Sequence, residues 1–235
     1  ARVEQYEVVV TTLVRLLVTG VVWGPPELLP TWSGALERVA TCQQDGGTIL
    51  WLRLRRYPGL LLMYAAGLAA VVTGNYRALQ SILLGTKARI EGDEKVPLVQ
   101  ELYPQAALDR DWANTSLFNS ERKYVPVSER IFAYLRDQFR PWLPDDDDYQ
   151  LAFDRFEFML AMTYSAHGGG TFAPAGRFIH TWRYRDQRPR IAFEISDEIA
   201  AQGDMWLPIL ARLFPNKESA LEAIKAVREL VGRWG

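Results

Sequence analysis

The residues best suited to hold a charged partner are arginines that alternate with aromatic side chains in the last third of the chain. The group consists of Trp182, Arg183, Tyr184, Arg185, Arg188 and Arg190. Guanidinium groups bind nucleic-acid phosphates while aromatic rings stack on bases. A solvated turn often has the same composition, and a net charge of -1 gives nucleic acid no general attraction. We predict that this group contacts a partner, with nucleic acid as the weaker alternative to protein.

A run of aspartates, Asp145 to Asp148, invites a metal-binding interpretation. Neighbouring residues on one chain point in different directions, and the EF-hand pattern of alternating ligands with a central glycine is missing. We favour a helix start, in which one aspartate caps the helix and the others oppose the positive end of its dipole. The sequence predicts no metal site, and it contains no phosphate-binding loop or dinucleotide-binding turn that would call for a cofactor.

His167 is followed by three glycines, and His-Gly-Gly-Gly resembles the oxyanion-hole loop of lipases and esterases of the α/β-hydrolase class. That chemistry also needs a serine within G-x-S-x-G, and no serine here has those flanking glycines. A helix stop explains the glycines more simply. A hydrolase of unrecognised type, with His167 near Asp154 and Glu157, stays open as an alternative. We assign no catalytic residue to this chain.

The element that must organise the fold is an apolar segment, Leu60–Val72. Thirteen helical residues rise about 20 Å, too little for a bilayer core of about 30 Å, so we predict a buried central helix and no membrane span. Its alanines and glycine let neighbouring helices approach closely. Pro58 fits either its first turn or a kink in a longer helix. The basic cluster Arg53, Arg55 and Arg56 precedes it.

Bulk composition indicates one globular domain over residues 1–235. Hydrophobic residues make up 49% and charged residues 23% of the chain, which is typical of a packed protein. The single cysteine, Cys42, excludes an internal disulfide and agrees with a reducing cytoplasmic setting.

The fold class that the pattern predicts is mainly α: an irregular helical bundle around the central helix, with one small β-hairpin near residues 176–195. Apolar alternation predicts the strands of that hairpin, with Asp186–Pro189 as the turn. The alternating residues are Phe178, Ile179, Trp182 and Tyr184, then Ile191, Phe193 and Ile195. Residues 87–94 predict a loop or a short hairpin.

The first helix is expected over residues 3–19, with one apolar face formed by Val9, Leu13, Leu16 and Leu17. A chain that opens inside a helix suggests the later part of a longer protein. Farther along, Ser128 is expected to cap a helix that ends near Phe139.

Several packing segments carry a family resemblance. They are Leu13–Leu17 with Trp23-Gly24, Trp51–Pro58 with the apolar helix, Gly74-Asn75-Tyr76, and Phe153–Phe158 with Leu160-Ala161. From about residue 8 to 215 the chain resembles the C-terminal helical region of multidomain bacterial proteins whose N-terminal domains are sirtuin-like or TIR-like defence effectors. The resemblance implies a regulatory, sensing or assembly role, with the catalytic domain upstream. It transfers no catalytic residue.

We therefore expect a non-catalytic regulatory, sensor or assembly domain of a bacterial, antiphage-type defence protein that acts through protein–protein contacts in the cytoplasm. The expected partners are the upstream effector domain, another protein and a second copy of the chain.

Overall fold

Residues 2–41, 49–89, 94–107, 125–168, 173–179 and 190–232 are described by the computed structural model, and helices dominate them, which confirms the mainly α prediction. The helices are α1 (Arg2–Trp23), α2 (Leu29–Ala40), α3 (Ile49–Leu54), α4 (Tyr57–Val72), α5 (Tyr76–Gln80), α6 (Leu98–Glu101), α7 (Pro104–Ala107), α8 (Pro126–Phe139), α9 (Asp146–Ala166), α10 (Arg190–Gln202), α11 (Leu207–Leu210) and α12 (Lys217–Gly232). Short 3₁₀ turns occupy Pro26–Leu28 and Gly203–Met205, and a π turn occupies Ser81–Gly85.

Helix α4 is the centre of the bundle. Every residue from Tyr57 to Val71 is buried, and Pro58 lies in the first turn, where a proline costs no hydrogen bond. Helices α1, α2 and α9 pack against it. The Tyr57 hydroxyl donates to Glu7 near the start of α1, and the Asn75 amide donates to the Val21 carbonyl near its end. Helices α1 and α4 therefore run parallel along most of their length.

Glycines mark the places where helices approach most closely. A Cβ atom on Gly67 of α4 would overlap the Phe156 ring of α9, and one on Gly20 of α1 would overlap the Trp32 ring of α2. The Phe156 ring also packs edge-on against Tyr64, with ring centroids 4.9 Å apart. Gly67 thus permits the close approach of α4 and α9, as the sequence predicts, and Gly20 does the same between α1 and α2.

The one small hairpin within the described ranges lies elsewhere than expected. Strands β1 (Lys87–Ala88) and β2 (Val96–Pro97) pair antiparallel, with Lys87 opposite Pro97 and Ala88 opposite Val96. Strand β1 lies in residues 87–94, where the sequence predicts a loop or a short hairpin, and strand β2 lies just after them. The hairpin predicted near residues 176–195 is wrong wherever it is described: Phe178 and Ile179 have a helical backbone, and residues 190–202 form α10, whose buried side includes Ile191, Ile195 and Ile199. Residues 180–189, with the expected turn, lie outside the described residues.

Two predictions about helix ends and faces had different outcomes. One aspartate of the run caps α9, as expected, and that residue is Asp145. Ser128 does not cap α8; the helix begins at Pro126, and the Ser128 side chain is wholly buried within its first turn. A proline is pre-organised for the first helical position, so the helix starts three residues earlier, with Val125 as the N-cap.

The predicted apolar face of α1 is also wrong. Leu17 is buried, but Val9 and Leu16 are exposed on the far side of the helix. Apolar residues lie all round α1, so spacing alone did not distinguish the face that packs on α4 from the outer face. The helix is also longer than expected and continues to Trp23.

Candidate functional site

The arginine-rich group is described at one residue only. Arg190 is the first residue of α10, and its Nε atom donates to Glu194 Oε1 at 2.6 Å. This is an exposed ion pair between residues four apart on one helix. The other members, Trp182, Arg183, Tyr184, Arg185 and Arg188, lie outside the described residues, so their partner-binding role stays a prediction.

His167 lies at a helix end, and among the described residues its side chain contacts a backbone carbonyl, not an acid. It follows the last residue of α9, its side chain is half-buried, and its Nε2 atom lies 2.9 Å from the Leu213 carbonyl oxygen. Asp154 and Glu157 lie about 15–20 Å earlier along the axis of the same helix. The hydrolase arrangement of His167 with these carboxylates is therefore not formed.

The aspartate run starts a helix, as predicted. Asp145 Oδ1 accepts hydrogen bonds from the backbone N–H groups of Asp147 at 2.8 Å and Asp148 at 3.0 Å. Asp146 pairs with Arg136. Within the ranges that the structure describes, no group of three or more His, Cys, Asp or Glu side chains is placed to hold a metal ion.

The most unusual chemistry is a carboxylate in the core. Glu157 on α9 is 1% exposed. Its Oε1 atom accepts hydrogen bonds from the Ser128 hydroxyl at 2.5 Å and the Tyr64 hydroxyl at 3.0 Å, and its Oε2 atom accepts one from the Arg177 backbone N–H at 2.6 Å. Gly176 closes the site, since a Cβ there would overlap the carboxylate. Glu157 thereby joins α4, α8, α9 and the segment 173–179.

A second carboxylate lies one helical turn away. Asp154 is 5% exposed, and its Oδ1 atom has no hydrogen-bond partner among the residues that the structure describes. Burial raises the pKa of Asp154 to about 7, against the opposing charge of Arg177. Burial likewise raises the pKa of Glu157 to about 8; the Ser128 hydrogen bond opposes this shift, and the nearby Asp154 charge adds to it. Such shifts often mark active sites, but these enclosed acids offer no surface that a substrate could reach.

The aromatic residues that surround the pair were a sequence signal for this site. Phe153, Phe156 and Phe158 flank the acids along α9, and all three are buried. A helix with large apolar groups on several sides must bury its polar residues too. The predicted grouping of Asp154 and Glu157 with His167 is wrong; the two acids share a buried environment instead.

Arg177 connects the acids to α8. Its guanidinium forms an ion pair with Glu129 and lies 3.6 Å from the centre of the Phe132 ring. Within the described part of the chain, its buried Nε atom has no hydrogen-bond partner. The cation thus lowers the cost of placing Asp154 and Glu129 close together in a region of low dielectric constant.

Another buried acid, Glu7, lies near the start of α1. Glu7 is 6% exposed. Arg130 on α8 donates to both of its oxygens, from Nε at 2.7 Å and from Nη2 at 2.5 Å, and the Tyr57 hydroxyl donates to Oε1 at 2.9 Å. Burial and the Glu7 charge raise the pKa of Tyr57 well above its usual value, so it stays a donor. This cluster holds α1, α4 and α8 together.

The basic cluster before α4 borders a polar cleft of about 320 Å³. Its lining includes Arg53, Arg56, Gln100, Glu101, Tyr103 and Gln105. Arg56 is 5% exposed and donates to the Ala106 carbonyl at 3.1 Å. Arg53, Glu101 and Tyr103 also take part in contacts within the protein. The cleft mixes both charges and contains no nucleophile beside a base.

The outer face of α1 is an exposed surface. We call it the α1 stripe: Gln5, Val9, Thr12, Leu16, Thr19 and Trp23, all exposed. Val9 is 77% exposed, Leu16 52% and Trp23 74%, and the adjacent Val8 is 75% exposed. The steps between successive members alternate between four and three residues, which is the spacing of coiled-coil contact positions. The stripe contains no charge.

Charged residues lie only at the margins of the α1 stripe. Glu4 and Arg15 border one side, where the Arg15 Nε atom donates to Gln138 Oε1 of α8 at 3.0 Å. Arg2 borders the other side, with its guanidinium 4.0 Å from the centre of the Trp51 ring. The stripe therefore lies open along the full helix.

Among the described helices, α1 is the one that is long and apolar enough to cross a membrane. Of its apolar 18-residue stretch, 39% is buried inside the protein. This is weak evidence for a span, because a core helix of a soluble protein has the same length and composition. Comparison with protein-family models, curated proteins and solved structures finds no match to this chain.

Proposed function

We propose that this chain is a non-catalytic interaction domain that docks onto protein through the α1 stripe. The observation that carries this proposal is the uncharged, heptad-spaced row of exposed residues along α1, in particular Val9, Leu16 and Trp23. A soluble protein exposes such a row at a cost in free energy unless a partner covers it. The regular spacing favours a helix as the partner surface.

The polar chemistry of the core supports a structural role for the acids. The carboxylate oxygens of Glu157 and Glu7 accept hydrogen bonds from groups within the protein. His167 is engaged with a backbone carbonyl. These groups hold the helices in place, so the surface of the domain, not an open pocket, is the better candidate for function.

In its biological setting, the domain would regulate, sense or assemble. We propose that it serves as such a module in a cytoplasmic, antiphage-type bacterial defence protein and works with an upstream effector domain. The resemblance of its packing segments, from Trp51–Pro58 to Phe153–Phe158, to the C-terminal regions of such proteins supports this context.

Site-specific photo-cross-linking tests the docking role. A photoreactive benzoylphenylalanine is placed at Leu16 in the α1 stripe, and at Leu210 as a control, since both positions are 52% exposed. The chain is expressed in bacterial cells, irradiated and analysed by mass spectrometry. We expect protein adducts at Leu16 and few at Leu210. Equal labelling at both positions, or lipid adducts alone at Leu16, would refute the proposal.

A further inference from the structure

We infer that the polar cleft beside the basic cluster is an accessory binding site for a small hydroxylated oxyanion, either a phosphate monoester or a sugar acid. Its described lining comes from the corner between α3 and α4, with Arg53 and Arg56, and from residues 100–106 of α6, α7 and their connection. The described lining shares no residue with the α1 stripe. The inference therefore goes beyond the proposed docking role, and each can fail without the other.

The size and lining of the cleft suit a small polar molecule. Its volume of about 320 Å³ lies at the lower end of the range for ligand pockets, about 300–1,000 Å³. Every described lining residue except Ala106 has a polar or charged side chain. An apolar ligand would displace water from these groups without replacing the hydrogen bonds of that water. The lining therefore selects a polar ligand.

The charges of the described lining favour a ligand with negative charge. Arg53 and Arg56 contribute two guanidinium groups, and Glu101 contributes one carboxylate. A guanidinium presents its N–H donors in a planar arrangement that matches the oxygens of a carboxylate or a phosphate. These three side chains also make contacts within the protein, and a guanidinium with five N–H donors can serve a ligand as well.

Hydroxyl groups on the ligand would find acceptors in the same cleft. The Glu101 carboxylate and the Tyr103 hydroxyl both belong to the described lining, and both can accept hydrogen bonds. A bare anion would leave these acceptors to water. The combination of cations with acceptors is the reason for expecting a hydroxylated oxyanion, and the lining offers no nucleophile beside a base that would change it chemically.

Three of the lining side chains are held in place by backbone groups. Arg56 is 5% exposed, and its Nη1 atom donates to a backbone carbonyl of α7 at 3.1 Å. The Gln100 Nε2 atom donates to the His167 carbonyl at 3.1 Å. Gln105 donates from Nε2 to the Ala175 carbonyl at 2.6 Å and accepts at Oε1 from the Ala175 N–H at 3.3 Å. A lining that is fixed before the ligand arrives loses less conformational entropy on binding.

Isothermal titration calorimetry in a phosphate-free buffer of low ionic strength tests the site with ribose 5-phosphate, gluconate and ribose. These probes share hydroxyl groups and differ in carrying a phosphate, a carboxylate or no charge. We expect one or both anions to bind with a dissociation constant below about 1 mM, and ribose to bind at least about 10-fold more weakly. The tighter anion identifies the oxyanion. Failure of both anions to bind, or equal binding of ribose, would overturn the inference.

Arg53→Gln and Arg55→Gln form a matched pair of variants. Each removes one positive charge from the basic cluster, but Arg53 belongs to the described lining and Arg55 does not. Arg53→Gln should raise the dissociation constant of the bound anion at least about 10-fold, because charge-assisted hydrogen bonds are lost. Arg55→Gln should raise it less than about threefold, since charges in solvent are screened.

Circular dichroism verifies that both variants fold. Arg53→Lys retains the charge without the planar donor arrangement, so it gives a second measurement if Arg53→Gln is unstable, and its affinity should lie between those of wild type and Arg53→Gln. Equal weakening by Arg53→Gln and Arg55→Gln would show that the anion binds to the basic surface in general, and it would refute a site in the cleft.

Discussion

The Glu157 carboxylate accepts a hydrogen bond of 3.0 Å from the Tyr64 hydroxyl across the contact between α9 and α4. Both side chains are at most 1% exposed. Burial raises the pKa of Tyr64 well above its usual value, so the tyrosine stays a donor. The free energy of unfolding must therefore depend on the protonation of Glu157, because this titratable acid is buried away from water beside a hydroxyl that keeps its proton.

Stability should fall as pH rises from about 5 to 8. The pKa of Glu157 is about 8 in the folded chain, while an unfolded glutamate releases its proton near 4.3. Between these two pKa values the folded state binds more protons than the unfolded state. The contribution of Glu157 to the free energy of unfolding is therefore fully present below about pH 4 and is lost as pH rises through the folded pKa. Urea unfolding at pH 5 and pH 8 measures the change.

The Glu157→Gln variant separates this effect from the other titrating groups. Its amide cannot ionise, so its stability should change less between the two pH values than that of the wild type. An amide has one acceptor oxygen where the carboxylate has two, so only the pH dependence is compared, not the absolute stability. Parallel pH profiles of wild type and variant would contradict the assignment.

Loss of the two hydrogen bonds that Arg130 donates to Glu7 should destabilise the folded protein. Arg130→Met keeps the alkyl stem and leaves Glu7 with the Tyr57 hydroxyl as its remaining side-chain donor. Breaking a buried ion pair costs about 3–5 kcal/mol, and because the Arg130 side chain is 35% exposed we expect about 2–3 kcal/mol. Urea denaturation at pH 7 measures the difference.

Arg140→Met is the matched control for this prediction. The Arg140 Nη2 atom lies 3.9 Å from the Asp137 Oδ1 atom, and both side chains are well exposed. Its loss should change the free energy of unfolding by no more than about 0.5 kcal/mol. Equal effects of the two substitutions would show that the Arg130–Glu7 ion pair does not stabilise the fold.

The close approach of α4 and α9 predicts the effect of a single methyl group. Gly67→Ala would place a Cβ inside the volume of the Phe156 ring, which Tyr64 holds in place. Overpacking of this kind costs about 1–3 kcal/mol, more than the gain in helix propensity of up to about 1 kcal/mol. Gly34→Ala on α2 meets nothing within 4 Å and should be neutral or stabilising. Thermal unfolding compares the two; a stable Gly67→Ala protein would refute the close packing.

Some of the fold was predictable because one physical effect dominated locally. The run Leu60–Val72 is apolar on every side, so burial was its one favourable environment, and the structure buries nearly all of it. The aspartate run stands directly before a helical apolar pattern, so one aspartate was expected to cap the helix, and Asp145 is that cap. In both cases the local sequence alone was enough to predict the structure of the segment.

Other elements depended on contacts that local sequence does not contain. Ile191, Phe193 and Ile195 alternate like a strand, but Ile199 completes a helical spacing, and α12 packs on that face. Glu157 has the residue type of a surface position, and only the approach of Ser128, Tyr64 and the chain at Gly176 makes it internal. Tertiary packing selected between two local patterns in each case.

The aspartate run offers the last test, because it separates a cap from a metal site. Asp145→Ala removes the acceptor for the N–H groups of Asp147 and Asp148 and should cost about 1 kcal/mol. Asp147→Ala removes only a charge near the helix start and should cost about 0.3–1 kcal/mol at low salt, less at high salt. Addition of Ca²⁺ or Mg²⁺ should leave the melting temperature unchanged, because the carboxylates do not converge. A melting temperature that rises with the cation in wild type and not in Asp147→Ala would contradict the capping assignment.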